Sequence, residues 1–257
     1  MRFRLRAFGL HLAASAAILS LVLAALYAGW YRWPGWYLSG VVHVVLVMVG
    51  VDAALGPLLT LLIASPQKPR RELARDIGII VAVQLVALGY GTTTLWQGRP
   101  LYYTFSEDRL EMVQASALQP EDVAQGLREN PALAPHWYSL PRWVWAPLPD
   151  DADEQARIMT QAVTGGPDVV DMPRYFRPWA EGLPALRRKL VKVDALGIFS
   201  RGERQRLKQR MTELGLPADQ PVASFMMGRE TRLLVVFDPA TGEIRAMLPP
   251  PEAKAKR

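Results

Sequence analysis

Three long apolar runs occupy the first hundred residues, and they constrain the fold before anything else does. Residues 8–31 contain His11 as their only Asp, Glu, Lys, Arg or His. Residues 40–64 contain His43 and Asp52, and residues 77–97 contain none of these types. About 20 apolar residues rising ~1.5 Å each cross the roughly 30 Å hydrocarbon layer. Membrane spans are therefore expected at about 8–31, 40–64 and 77–97. A cleavable signal peptide is the competing reading of the first run. The run is long for an h-region, and no clear small-x-small site precedes a polar sequence.

Charge supports the same division. A net charge of +6 over 257 residues first suggests a nucleic-acid or anionic partner. Residues 1–100, however, hold nine basic and three acidic side chains, and residues 101–257 hold 21 of each. The whole excess belongs to the apolar part, where it is an orientation signal. Arg2, Arg4 and Arg6 precede the first run, and Lys68, Arg70, Arg71 and Arg75 fill the second connection. The first connection carries only Arg32. Basic connections stay cytoplasmic, so the N-terminus is expected inside and residues beyond Gln97 outside. Trp30, Tyr31, Trp33, Trp36 and Tyr37, with Trp96, Tyr102 and Tyr103, match an aromatic belt at the outer boundary. With no cysteine, a disulfide framework, a thiolate metal site and a Cys nucleophile are excluded.

The spans carry packing signals. Ala16, Ser20, Ala24 and Ala28, with Ala13 and Ala17, place small residues on span one, and Ala87 and Gly91 do so on span three. Such residues let helices approach closely in lipid. A three-helix bundle and a groove admitting a fourth helix both fit.

Asp52 falls at the centre of the second run, where a charge costs about 3 kcal/mol on insertion scales. Gly56, Pro57 and Thr60 follow. Pro57 lacks an N–H and crowds the carbonyl of Ala53, so the helix is expected to kink or open there. Asp52, Gly56 and Thr60 share one face by their four-residue spacing. Two readings are open. Asp52 ties the helices together, with Tyr90 at similar depth as a donor and Gln84 nearer the cytoplasmic side, or it meets a polar group on a partner's membrane helix. A transport role lacks repeats and a second relay group. His11 and His43 are expected at opposite membrane interfaces, too far apart to share a metal.

These residues resemble the type IV pilin accessory protein family (the TfpX/TfpZ group). Arg6-Ala7-Phe8 with His11 carries the resemblance, as do Gly50-Val51-Asp52 with Leu55-Gly56-Pro57-Leu58-Leu59-Thr60. Gln84-Leu85, Ala87-Leu88, Tyr90-Gly91 and Arg99-Pro100 extend it. It runs over the whole length, with specific motifs in the membrane half and looser similarity beyond about residue 115. The resemblance implies an inner-membrane protein acting with the major pilin in type IV pilus biogenesis, with no catalytic residues. Asp52, Gly56, Pro57 and Thr60 are its motif positions.

Residues 99–248 are long enough for one domain with its own core, preceded by a membrane region, 1–98, and followed by a tail, 249–257, that reads as disordered. Leu101–Phe105 and Leu110–Val113 are expected strands joined by a turn, and 120–128 a helix. Arg142–Ala146 is an expected strand. Residues 151–163 are expected to form a helix capped by Asp150, with Ile158, Met159 and Val163 inward. Residues 171–179, rich in proline and aromatics, read as a rigid loop. Residues 184–193 and 202–214 are expected basic helices. Strands at 222–227, 232–237 and 243–247 close the domain, with a turn at Pro239-Ala240-Thr241-Gly242. The fold class expected is three transmembrane helices followed by an α+β extracytoplasmic domain with a small antiparallel sheet.

Catalytic patterns are absent from the sequence. His136 is the only histidine beyond residue 100, and no Gly-x-Ser-x-Gly, His-Glu-x-x-His or glycine-rich phosphate loop occurs. Nine basic residues between Arg187 and Arg210 read as solvated helix faces or a lipid- or acid-attracting surface, and the domain's charge balance argues against nucleic acid. The function expected is therefore a non-enzymatic assembly factor without cofactor or metal, in the bacterial inner membrane, with a periplasmic domain. Its expected partner contacts are Asp52, Gly56, Pro57, Thr60, Gln84 and Tyr90 towards the major pilin's helix. A membrane-anchored periplasmic sensor is the alternative, though the connection of residues 65–76 is too short to hold an output domain.

Overall fold

The apolar runs form three long helices, seen in a computed structural model that describes residues 1–250. Helix α1 covers Arg2–Gly29, α2 Val42–Ile63 and α3 Arg70–Gln97, and all three are long and apolar enough to cross a membrane. Their first turns reach into the basic flanks, so α1 and α3 start earlier than the apolar runs alone.

Helix α2 is irregular where the proline predicts. Residues Gly50–Leu55 adopt the wider π-helical turn, and the Gly56 N–H reaches back five residues to the Val51 carbonyl. Pro57 has no N–H to give and its ring crowds the preceding turn, so an added residue per turn relieves the clash. The core of the membrane unit is Leu19, Leu26, Tyr31, Met48 and Leu95. Gly91 of α3 is packed as its sequence context suggests, since a Cβ there would lie 2.5 Å from the Met48 side chain. The small residues of α1 behave otherwise. Ser20, Ala24 and Ala28 are exposed on the helix rather than buried against α2 or α3.

The second compact unit is the chain from Pro100 onward together with Tyr37–Gly40 from the connection between α1 and α2. Its strands are β1 Pro100–Ser106, β2 Arg109–Gln114, β3 Arg142–Trp145, β4 Arg177–Pro178, β5 Ala223–Met227, β6 Arg232–Phe237 and β7 Ile244–Leu248. Its helices are α4 Pro120–Glu129, α5 Ala152–Val163, α6 Trp179–Lys189 and α7 Arg201–Glu213. The mixture of helices and strands is as expected. The small antiparallel sheet is not: the sheet has seven strands in the order β4-β3-β1-β2-β5-β6-β7. Four pairs are antiparallel, while β1–β3 and β2–β5 are parallel. The parallel joints splice three antiparallel groups, β4–β3, β1–β2 and β5–β6–β7, into one mixed sheet, and pairing across such sequence distances leaves no local signature.

Side chains alternate between the two covered faces, as the period-two geometry of strands requires. Tyr103, Phe105, Met226, Leu233, Val235 and Phe237 meet Leu186 of α6 on one face. On the other face, Tyr102, Val113 and Val144 pack with Ile158 of α5, and Leu234, Val236 and Leu248 pack with Leu207 and Met211 of α7.

Leu38 is wholly buried in the first of these clusters. The Arg229 N–H donates to the Leu38 carbonyl at 2.9 Å, and the Thr231 hydroxyl donates to the Tyr37 carbonyl at 2.8 Å. Gly228 is required for the grip, because a Cβ there would sit 2.3 Å from the Leu38 carbonyl oxygen. The β5–β6 turn thus holds a piece of chain that precedes the second span. Only if α2 and α3 both cross the membrane, or neither does, can the two meet on one side.

Several local expectations need correction. The cap of α5 is Asp151, whose carboxylate accepts the Glu154 N–H at 2.8 Å, not Asp150. Ile158 is buried, but Met159 and Val163 face solvent, since α5 presents only a narrow stripe to the sheet. Helix α6 begins at Trp179, not at Pro184, which lies inside it. One lost N–H is offset there by packing close enough that a Cβ on Gly182 would meet the Trp145 side chain at 2.6 Å. The loop at 171–179 contains the short strand β4 and buries Phe176 and Met172. The tail expected to be disordered lies, from residue 251 onward, outside the described residues.

Candidate functional site in the membrane helices

Five polar side chains of the three helices gather in one linked group. On α1, His11 and Ser15 are four residues apart and share a face. The two ring nitrogens of His11 bridge the other helices: Nδ1 lies 2.6 Å from the Thr60 hydroxyl of α2, and Nε2 lies 2.7 Å from Oε1 of Gln84 on α3. With the Gln84 oxygen as acceptor, Nε2 carries the proton, and in the neutral ring Nδ1 accepts from Thr60. The Gln84 amide donates on its other side to the Asp52 carbonyl at 3.0 Å and towards the Ser15 hydroxyl at 3.4 Å. Backbone and side chain fit each other at this point. The widened turn and the missing Pro57 N–H leave the Asp52 carbonyl short of a helical donor, and Gln84 supplies one. Gly56 makes room, since a Cβ there would come within 2.2 Å of the Gln84 side chain.

Asp52 itself is buried, with 4% of its surface exposed, yet its Oδ2 has no hydrogen-bond partner. It stands at the wall of a cavity of about 120 Å³ lined by His11, Ser15 and Gln84, with Ile18 and Leu85 among its apolar lining. An orphaned acceptor in an apolar interior carries the full desolvation cost of that group. Chemically, the cavity offers carboxyl and hydroxyl groups to a hydrogen-bond donor of modest size.

Of the residues expected to form the site, Asp52, Gly56, Pro57, Thr60 and Gln84 are all buried and adjoin this network. Tyr90 is not among them. It is 77% exposed and lines a separate hollow with Val44, Val47 and Met48, because it lies on another face of α3 from Gln84. His11, not among the expected contacts, is a central member of the network. Its spacing to Ser15 on an otherwise apolar helix was the available signal.

In the second unit several charged side chains are held in pairs. Arg109 is paired with Glu111 and, at 3.0 Å, with Asp168. Burial pushes the Asp171 carboxyl up to about 6. Lys208, from the basic run, contacts Asp194 and Asp219 at 2.9 Å each. Among the described residues no group of three or more His, Cys, Asp or Glu side chains could hold a metal ion.

These features define a protein with three helices long and apolar enough to cross a membrane, a largely apolar cavity with His11, Ser15, Asp52 and Gln84 in its wall, and a mixed α/β domain. Its similarities in sequence lead to one group of proteins. The chain is 31% identical over 113 residues to the fimbrial assembly protein of serogroups C1 and C2 of Dichelobacter nodosus, covering 42% of this chain and 86% of that one. The serogroup I protein of the same organism is 27% identical over 179 residues, covering 66% and 67%. The serogroup E1 protein is 23% identical over 189 residues, covering 72% and 71%. No protein-family model and no solved structure matches the chain. The chain belongs to the fimbrial assembly protein family, in keeping with the type IV pilus-related resemblance of its membrane motifs.

Proposed function

We propose that this protein is a non-enzymatic factor in type IV pilus assembly that holds the hydrophobic helix of the major pilin in the membrane before its incorporation. In this reading the protein sits in the bacterial inner membrane, its N-terminus is cytoplasmic, and its soluble domain is periplasmic and meets the pilin's globular head. The basic flanks at Arg2–Arg6 and Lys68–Arg75 support that orientation. The relatives' role in fimbrial assembly supports the process. The observation that carries the contact is the unpaired Oδ2 of Asp52 at the wall of the cavity. A donor on a partner helix would satisfy it, and in lipid such polar contacts add to close packing.

The network suggests where such a contact is best sought. Gly56 and Thr60 are buried against Gln84 and His11, which line the cavity, while Ile18 and Leu85 are exposed at its rim. Photo-crosslinkers placed at Ile18 and Leu85 are expected to capture pilin in native membranes, and one at the exposed Val86 is not. Capture from the soluble domain with none from Ile18 or Leu85 would remove the intramembrane contact. Asp52→Asn keeps size and adds a donor, so the protein should accumulate normally while surface piliation changes. Normal piliation in that variant would leave Asp52 a role within the bundle only.

A further inference from the structure

The soluble domain keeps its aromatic side chains inside, with one exception. Among the described residues from Pro100 onward, only Trp137 and Tyr138 are exposed aromatics, at 73% and 59%, and the neighbouring Leu140 is 58% exposed. All three lie in the connection between α4 and β3. The connection is braced from behind. The Arg142 guanidinium donates to the carbonyls of Ala132 and Ala134 at 2.7 and 2.8 Å. The Ala134 N–H closes on the Asn130 carbonyl at 3.0 Å. At the tip, the Ser139 N–H bonds the His136 carbonyl at 3.0 Å, and the His136 N–H returns a bond to the Ser139 hydroxyl at 2.9 Å. The His136 ring stacks on Tyr138 with centroids 5.4 Å apart. Pro131, Pro135 and Pro141 restrict the backbone further, and no Asp or Glu occurs from residue 131 to 149.

We propose that this loop is an interfacial anchor, with Trp137, Tyr138 and Leu140 seated at the boundary between head groups and acyl chains of the bilayer that the chain itself spans. Indole and phenol rings join an apolar body to a polar edge, the combination that concentrates Trp and Tyr at that depth. An acid-free tip meets no repulsion from anionic head groups. Because the loop is already fixed by its own hydrogen bonds, docking costs little ordering entropy. The bilayer is also close at hand. Helix α3 ends at Gln97 and β1 begins at Pro100, so a short covalent link gives the domain a high effective concentration at the membrane surface.

The chain has no cysteine, so Leu140→Cys creates a unique labelling site in the full-length protein. An environment-sensitive fluorophore there would be followed in nanodiscs of phosphatidylethanolamine and phosphatidylglycerol. Met159→Cys, at an exposed position of α5, serves as reference. The Leu140 probe should emit to the blue of the reference. Lipids spin-labelled near the head group should quench it at least about twofold more strongly. Adding Trp137→Ala and Tyr138→Ala should abolish both effects while leaving the thermal unfolding of the protein unchanged, since both rings are exposed. A Leu140 probe as water-like as the reference overturns the proposal. So does a blue shift that appears only when purified pilin is added, which would assign the loop to a protein interface. Persistence of the shift without the two rings overturns their role as the anchor.

Discussion

The two units of the molecule handle polarity in opposite ways. In the membrane unit, five polar side chains from three helices converge in one network: His11 bridges Thr60 and Gln84, Gln84 reaches the Asp52 backbone, and Asp52 lines the cavity. In the soluble domain, ionic pairs are scattered, as in Arg174 with Asp122, Arg232 with Glu203 and Arg245 with Asp238. The sheet core beneath them is largely apolar, with buried polar exceptions such as Thr104 and Ser224. Water can replace a lost partner at the surface of such a domain, whereas lipid cannot do so inside the bundle. The soluble unit should therefore respond most to changes in packing, and the membrane unit to the loss of single hydrogen bonds.

The largest effect should come from the core of the soluble unit. Leu38→Ala removes a wholly buried side chain, and such truncations cost about 2–5 kcal/mol. Thermal unfolding or limited proteolysis of the purified protein should register it, and an unchanged protein would show that Tyr37–Gly40 is not integral to that core. A second effect tests a buried charge. Asp171 titrates at about 6 in the folded domain, against about 3.9 when unfolded. Its folded value is raised, so its contribution is greatest below about pH 4 and is lost as the pH rises through about 6. With ~1.4 kcal/mol per pKa unit, this amounts to about 2–3 kcal/mol. Asp171→Asn should flatten the stability profile between those values, and an unchanged profile would locate the titration elsewhere.

Third, Gln84→Leu orphans both the Asp52 carbonyl and the His11 ring. Each unsatisfied buried group costs about 1–3 kcal/mol. Unfolding in detergent should register this, while the soluble domain keeps its own transition. If Gln84→Leu is neutral, the contrast between the units fails. The smallest effect is expected at an exposed helix end, where Asp151→Ala should cost about 1 kcal/mol by removing the cap of α5.

What the sequence reveals follows the range of the forces involved. The spans are legible because each is a run of apolar residues long enough to cross lipid, and the opening of α2 is legible because Pro57 cannot donate. The β1–β2 hairpin and the last three strands announce themselves through alternation and turns. The parallel joints of the sheet do not, nor does the burial of Leu38, since a leucine within a Trp- and Tyr-rich boundary looks the same whether it faces lipid or a distant sheet. For the site, Asp52, Gly56 and Thr60 were legible from spacing. Tyr90 was misplaced because depth in the membrane was read without the face of the helix. The part of His11 in the network was not legible because its partners lie 49 and 73 residues away.

The grip of the β5–β6 turn on Tyr37 and Leu38 also sets an order of events during synthesis. Thr231 and Tyr37 are 194 positions apart, and both later spans are made between them. If both helices cross a membrane, a chain that fails to insert one of them would leave Leu38 and its pocket on opposite sides of it. Its soluble domain then lacks a core residue and shows an open apolar pocket to proteases. If those helices cross a membrane, completion of the domain depends on their insertion, because the last strands close on a segment made long before them.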